Sequence, residues 1–200
     1  MTRIFALSLQ GRPLPAIHAL PLALVLLMIP ALALAHPGHG QGFADGVGHP
    51  LGGADHMLAM VAVGLWAALT GGRALWALPL GFVGAMGVGA VLGMAGIALP
   101  LLEPMIAASV VVLGAAAALA LRPALGQAVL AVALFGLMHG NAHGLEGAGA
   151  GYATGFVLAT AGLHLAGLAL GLGLMRIGQR QGARLVAGGT ALAGLALAFA

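Results

Sequence analysis

The sequence has no cysteine and no lysine, and only 6% of its 200 residues are charged. Without cysteine there are no disulfides, no thiolate metal sites and no cysteine nucleophile. Seven arginines and four acids are too few to cover a solvated surface, since a soluble domain carries about 25% charged residues. The pI near 11.2 follows from that small arginine excess and not from a basic patch, which excludes nucleic acid as a partner. What the chain does have is apolar bulk: 62% hydrophobic residues and a mean hydropathy of +1.11. The predicted fold is therefore all-α, a polytopic membrane helical bundle. One count is out of proportion: eight histidines stand against eleven charged residues.

Residues 1–35 have the three parts of a secretory signal. Arg3 and Arg12 form a positive n-region, residues 19–34 form an apolar h-region, and Ala33-x-Ala35 is a small-x-small cleavage site. An uncleaved first span is the competing reading, but Pro21 and Pro30 interrupt the run. The expected domain organisation is a signal peptide over 1–35 and one transmembrane domain over 36–200. The mature chain would begin His36-Pro37-Gly38-His39, outside the cytoplasm.

Taking about 20 apolar residues per membrane helix, six spans are expected near 54–71, 74–96, 101–121, 125–143, 150–175 and 183–200. Arg73, Arg122 and the group Arg176, Arg180 and Arg184 then fall in alternate connections, on one side. The positive-inside rule makes that side cytoplasmic. Both mature termini are thereby expected in the periplasm, the chain crossing the bacterial inner membrane several times. A homo-oligomer is left open by these signals. Gly136-x3-Gly140-x3-Gly144, Gly89-x3-Gly93 and Gly167-x3-Gly171 suit close helix packing.

Three motifs hold most of the polar residues. The first, HPLGGADHMLAM over 49–60, places Asp55 and His56 at the start of a helix, with His49 in the Pro/Gly turn before it. An N-cap role explains Asp55 alone and leaves the two histidines beside it unexplained. The second, FGLMHGNAHGLE over 135–146, puts His139, His143 and Glu146 at i, i+4 and i+7 on one helix face, a metal-chelating spacing. Interfacial histidines bonded to backbone are the alternative, and Asn141 points off that face as a packing residue. The third, GFVLATAGLH over 155–164, sets His164 about 18 Å into its helix, near mid-membrane, with Thr160 one turn earlier. A satisfied core histidine competes there with a functional intramembrane group.

Imidazole with carboxylate and no thiolate suits a divalent first-row metal ion, without naming which one. Met57, Met60 and Met138 lie beside the motifs, although methionine in an apolar chain is ordinarily core filler. The three blocks together resemble the HupE/UreJ family of nickel/cobalt permeases, over about residues 36–200. The resemblance implies a signal peptide, about six spans and a nickel supply to hydrogenase or urease. It implies metal recognition by His49, Asp55 and His56, together with His139, His143, Glu146 and His164. The expected function is that of a secondary transporter and not an enzyme, with Ni²⁺ or Co²⁺ as cargo and no permanently bound cofactor. His36 and His39 are weaker candidates for capture of the ion outside. The alternative is an intramembrane zinc-dependent hydrolase using the same cluster. A haem anchor is disfavoured by the acids among the histidines.

Neutral imidazole is the form that binds metal. Binding of Ni²⁺ by the detergent-solubilised protein, followed by titration calorimetry, is expected to weaken as pH falls through about 6.5.

Overall fold

The computed structural model describes residues 42–146 and 149–199. The expected signal peptide, His36 and His39 lie outside the described residues. Among those described, seven helices run in order: α1 (Phe43–Gly52), α2 (Ala54–Thr70), α3 (Ala74–Met94), α4 (Leu102–Ala118), α5 (Leu125–Glu146), α6 (Ala150–Arg176) and α7 (Arg180–Ala198). Helices α2 to α7 coincide with the six expected spans to within a few residues.

Helix α1 has no counterpart in that expectation. His49 lies in its last turn and not in a turn ahead of the bundle. Gly46, Gly48, Gly52 and Pro50 give this segment a low intrinsic helix propensity, and tertiary contact overrides it. Gly46 presses on the backbone of Tyr152, and Gly155 presses back on Phe43 and Val47, so α1 lies directly on α6. Extended backbone at Gly53 then breaks the chain, and α1 and α2 meet at 83°.

On length and apolar character, α3, α5 and α6 can each cross a membrane, and the bent α1–α2 pair makes a fourth candidate. Helix α4 is apolar but only 17 residues long. Helix α7 opens with Arg180 and Arg184, which lowers its apolar content at that end. Among the described residues, length and hydropathy thus support three or four crossings where six were expected.

Helix α2 is the centre of the bundle. Every residue from Leu58 to Leu69 is buried, as expected of a helix apolar on all sides. It touches α1, α3, α4, α6 and α7. The outer helices turn large apolar side chains outward, among them Trp76, Leu80, Leu130, Leu158 and Leu192. An apolar outer surface of this kind is what lipid requires.

Glycine stripes set the helix pairs. On α5, Gly136, Gly140 and Gly144 lie against the carbonyls of Phe82, Met86 and Ala90 on α3. A Cβ on Gly140 would collide with the Met86 carbonyl oxygen. The stripe runs one residue beside His139 and His143, so the contact with α3 fixes the rotation of α5 and with it the direction of the histidines. At the other end of the bundle, Arg122 and Arg180 both donate to the Leu69 carbonyl at the end of α2, at 3.3 and 3.4 Å. Arg184 donates to the Ala118 carbonyl at 2.6 Å. These cations satisfy helix C-terminal carbonyls, a second use of residues that the sequence marks as topology signals.

Gly140→Ala is expected to cost about 1–3 kcal/mol by overpacking and to lower the melting temperature by several degrees. Gly126→Ala, on the same helix with open space at its Cβ position, is expected to leave it unchanged. Circular dichroism melts in detergent check both.

Candidate metal centre

Four helices bring the polar motifs together at one end of the bundle. The start of α2 supplies Asp55 and His56, the end of α5 supplies His139, His143 and Glu146, and the end of α1 supplies His49. Helix α4 supplies Ser109, which the sequence motifs did not include.

Two groups of donors form, with His143 common to both. The inner group is His56, His139 and His143, and the outer group is His49, His143 and Glu146. Within each, one donor atom per residue lies within 4.8 Å of the others. An ion bound to imidazole at about 2.1 Å holds its donors at most about 4.2 Å apart. A small inward turn of the rings therefore closes either group on an ion. The rings already stack edge to face: centroids are 4.6 Å apart for His56 and His139, 4.5 Å for His56 and His143, and 4.5 Å for His49 and His143.

Asp55 orients the first of these rings. Its Oδ1 accepts from the backbone N–H of His56 at 2.8 Å and from the ring Nδ1 at 2.7 Å. A carboxylate only accepts, so the neutral His56 ring carries its proton on Nδ1 and offers the lone pair of Nε2. This is the carboxylate–histidine arrangement found behind metal ligands. The cap of α2 is Gly53 and not Asp55. Glu146 sits at the exposed outer edge, its Oε2 3.3 Å from His49 Nε2 and 3.5 Å from His143 Nδ1.

The imidazoles are deeply buried. His139 is 0% exposed and His164 1%. His56 Nε2, His139 Nδ1 and His143 Nε2 have no hydrogen-bond partner among the described residues, and His143 Nδ1 has only the Glu146 carboxylate at 3.5 Å. Buried polar atoms are normally paired, and each exception calls for an explanation. A convergent set of unpaired nitrogens is suited to an electron-pair acceptor such as a metal ion.

His164 stands apart from both groups. Its ring packs on Phe82 at 5.1 Å, and Phe82 also lies 5.5 Å from His139. Gly64 of α2 abuts the His164 carbonyl, eight residues below His56, or about 12 Å along the helix. Phe82 thus touches both His139 of the inner group and His164, whose two nitrogens are also unpartnered among the described residues. Thr160, on the same helix, donates to Met86 Sδ at 3.7 Å.

Asn141 is a packing residue, as its position off the histidine face suggested. It accepts from Leu99 N–H at 2.9 Å and donates to the carbonyls of Ile97 at 2.8 Å and Gly89 at 3.3 Å, tying the α3–α4 connection to α5. Sequence motifs missed Ser109, Phe82 and Tyr152, whose hydroxyl is buried without a partner among the described residues. Ser109 had a usable signal, because it is the sole serine in residues 36–200. A cavity of about 550 Å³ beside the site is lined by Asp55 and also by Glu103 of α4.

An apolar bundle with imidazoles converging at one end is the architecture of a membrane protein that handles metal ions. The model of the HupE / UreJ protein family matches residues 23–197. Protein HupE of Rhizobium leguminosarum bv. viciae is 43% identical over 181 residues, covering 87% of this chain and 94% of that protein. No solved structure matches the chain. The chain belongs to the HupE/UreJ family, a family of metal transporters and not of enzymes. This membership lends no support to the zinc-hydrolase alternative.

Asp55→Ala is expected to weaken Ni²⁺ binding about 10- to 100-fold, the usual loss when the partner behind a ligand is removed. Calorimetric titration of the detergent-solubilised variant against the wild type measures it.

Proposed function

We propose that this permease takes up Ni²⁺, or Co²⁺, across the bacterial inner membrane as a secondary transporter, supplying metal for hydrogenase or urease. The observation that carries this reading is the pair of donor groups sharing His143. An ion held by His49, His143 and Glu146 at the outer edge passes to His56, His139 and His143 by exchanging ligands around one common imidazole. Each exchange replaces a donor before the next is lost, so no step leaves the ion without coordination in a dry interior. His164, beyond Phe82, is the next station inward. His36 and His39, at the start of the mature chain, capture the ion outside.

In this reading the arginine-bearing connections face the cytoplasm, six helices cross, and both mature termini are periplasmic. The negative-inside potential then drives a divalent cation inward by about 4.6 kcal/mol per 100 mV, two charges at about 2.3 each. Affinity at each station is moderate, because a site that holds its ion too tightly stops conduction. The carboxylates Asp55 and Glu146 bring negative charge to the mouth, and the imidazoles replace water as ligands further in.

The test is ⁶³Ni accumulation in cells carrying the wild type, His56→Ala or no permease. Accumulation above background with the wild type and near background with His56→Ala is expected. Equal accumulation with and without the protein overturns the proposal. Glu146→Gln, at the outer group, is expected to raise the concentration of Ni²⁺ needed for half-maximal uptake.

A further inference from the structure

The Ser109 hydroxyl is completely buried and sits between two partners. Its Oγ is 2.6 Å from the Ile106 carbonyl oxygen and 2.9 Å from His139 Nε2. A hydroxyl has one proton to give and lone pairs to accept with, whereas a carbonyl oxygen only accepts. Two oxygens at 2.6 Å require the proton between them, so Ser109 donates to Ile106, three residues back on its own helix. That back-bond to the preceding turn is a common conformation of helical serine. It leaves the serine oxygen nothing to offer His139 except a lone pair.

His139 Nε2 must then be the donor. A neutral imidazole carries one N–H, so Nδ1 holds the lone pair. His139 Nδ1 is one of the buried nitrogens with no partner among the described residues, and the ring faces His56 at 4.6 Å. His56 is set the opposite way by Asp55, with its proton on Nδ1 and its lone pair on Nε2. Neighbouring rings held in opposite tautomers each keep one buried lone pair, on His56 Nε2 and on His139 Nδ1, that no described residue uses.

We propose that Ser109 is a positioning residue that fixes His139 in its Nε2–H tautomer and so makes Nδ1 the donor atom offered to the divalent cation. The cation's identity rests on the transport function proposed above; the tautomer does not. A serine present only to fill space would be replaceable by alanine with no change in the His139 proton position. An oriented hydroxyl is not, since its loss leaves the Nε2–H without an acceptor and removes the preference between the two tautomers. Threonine keeps the hydroxyl and makes the same back-bond in a helix.

The test has a metal-free arm and a metal arm. In the first, ¹⁵N spectra of histidine-labelled, detergent-solubilised full-length protein are recorded, with His139 assigned by its loss in His139→Gln. The wild type and Ser109→Thr are expected to show a protonated Nε2 and a bare Nδ1, and Ser109→Ala a mixture. In the second arm Ni²⁺ is titrated calorimetrically. Ser109→Ala is expected to bind about 10- to 100-fold more weakly, and Ser109→Thr to recover most of the loss. A proton on Nδ1 of wild-type His139 overturns the proposal. So does Ser109→Ala with wild-type spectrum and affinity. Should Ser109→Ala fail to fold, the wild-type and Ser109→Thr spectra still decide. A wild type with the expected tautomer but no saturable Ni²⁺ binding overturns the transport reading, not the tautomer assignment that the metal-free spectrum has by then supported.

Discussion

The approach of the α5 backbone to the α3 backbone governs the rest of this bundle. Gly136, Gly140 and Gly144 leave no side chain between the two helices, and carbonyls of α3 fill the space that Cβ atoms would occupy. In lipid there is no hydrophobic gain from pressing one apolar helix on another, and close packing of small residues supplies the association. Because such a contact is sterically unforgiving, it fixes the rotation of α5 about its own axis. His139 and His143 follow each glycine-stripe neighbour by three residues along the chain, and thereby face α2 and α4. The histidine face of α5 is a by-product of where its packing face must go.

The second controlling feature is the direction of lone pairs. Burying imidazoles without partners is costly, and the cost is tolerated at a site whose ligand completes the pairing. Asp55 and Ser109 act behind His56 and His139 on opposite ring nitrogens. One uses a charged acceptor and the other a neutral one. Each donor group therefore has one carboxylate at its edge, Asp55 behind His56 and Glu146 beside His49 and His143, while His139 is backed by a neutral hydroxyl.

Much of this was legible from sequence. Helical periodicity placed His139, His143 and Glu146 on one face, and the structure keeps them there. The Asp55–His56 pair was read at the start of a helix, where it lies. Helix α1 was not legible, because its glycines and proline argue against a helix locally and only the contact with α6 makes one. Ser109 stands out in sequence only as the single serine of residues 36–200, and its role was not legible for a different reason. Its importance comes from a partner thirty residues away on another helix, and a single chain records no adjacency. His164 was expected on an inward path. The structure buries it against Phe82, and the separation from the two donor groups is a matter of packing that spacing cannot give.

The 83° bend at Gly53 has a mechanical consequence for the outer group. Helix α1 is a lever whose fulcrum is one residue. His49 lies four residues from that fulcrum, about 6 Å along the helix axis, and Phe43 ten residues, about 15 Å. A swing of about 10° would carry the far end some 2.6 Å but His49 only about 1 Å, by the same helical rise. Gly46, three residues to the other side of His49, is wedged against the Tyr152 backbone, and Gly155 against Phe43 and Val47, so the arm is held on the side away from its pivot. His49 is thus mounted where the arm moves least, and the aim of its ring is insulated from disturbance of the segment that precedes it.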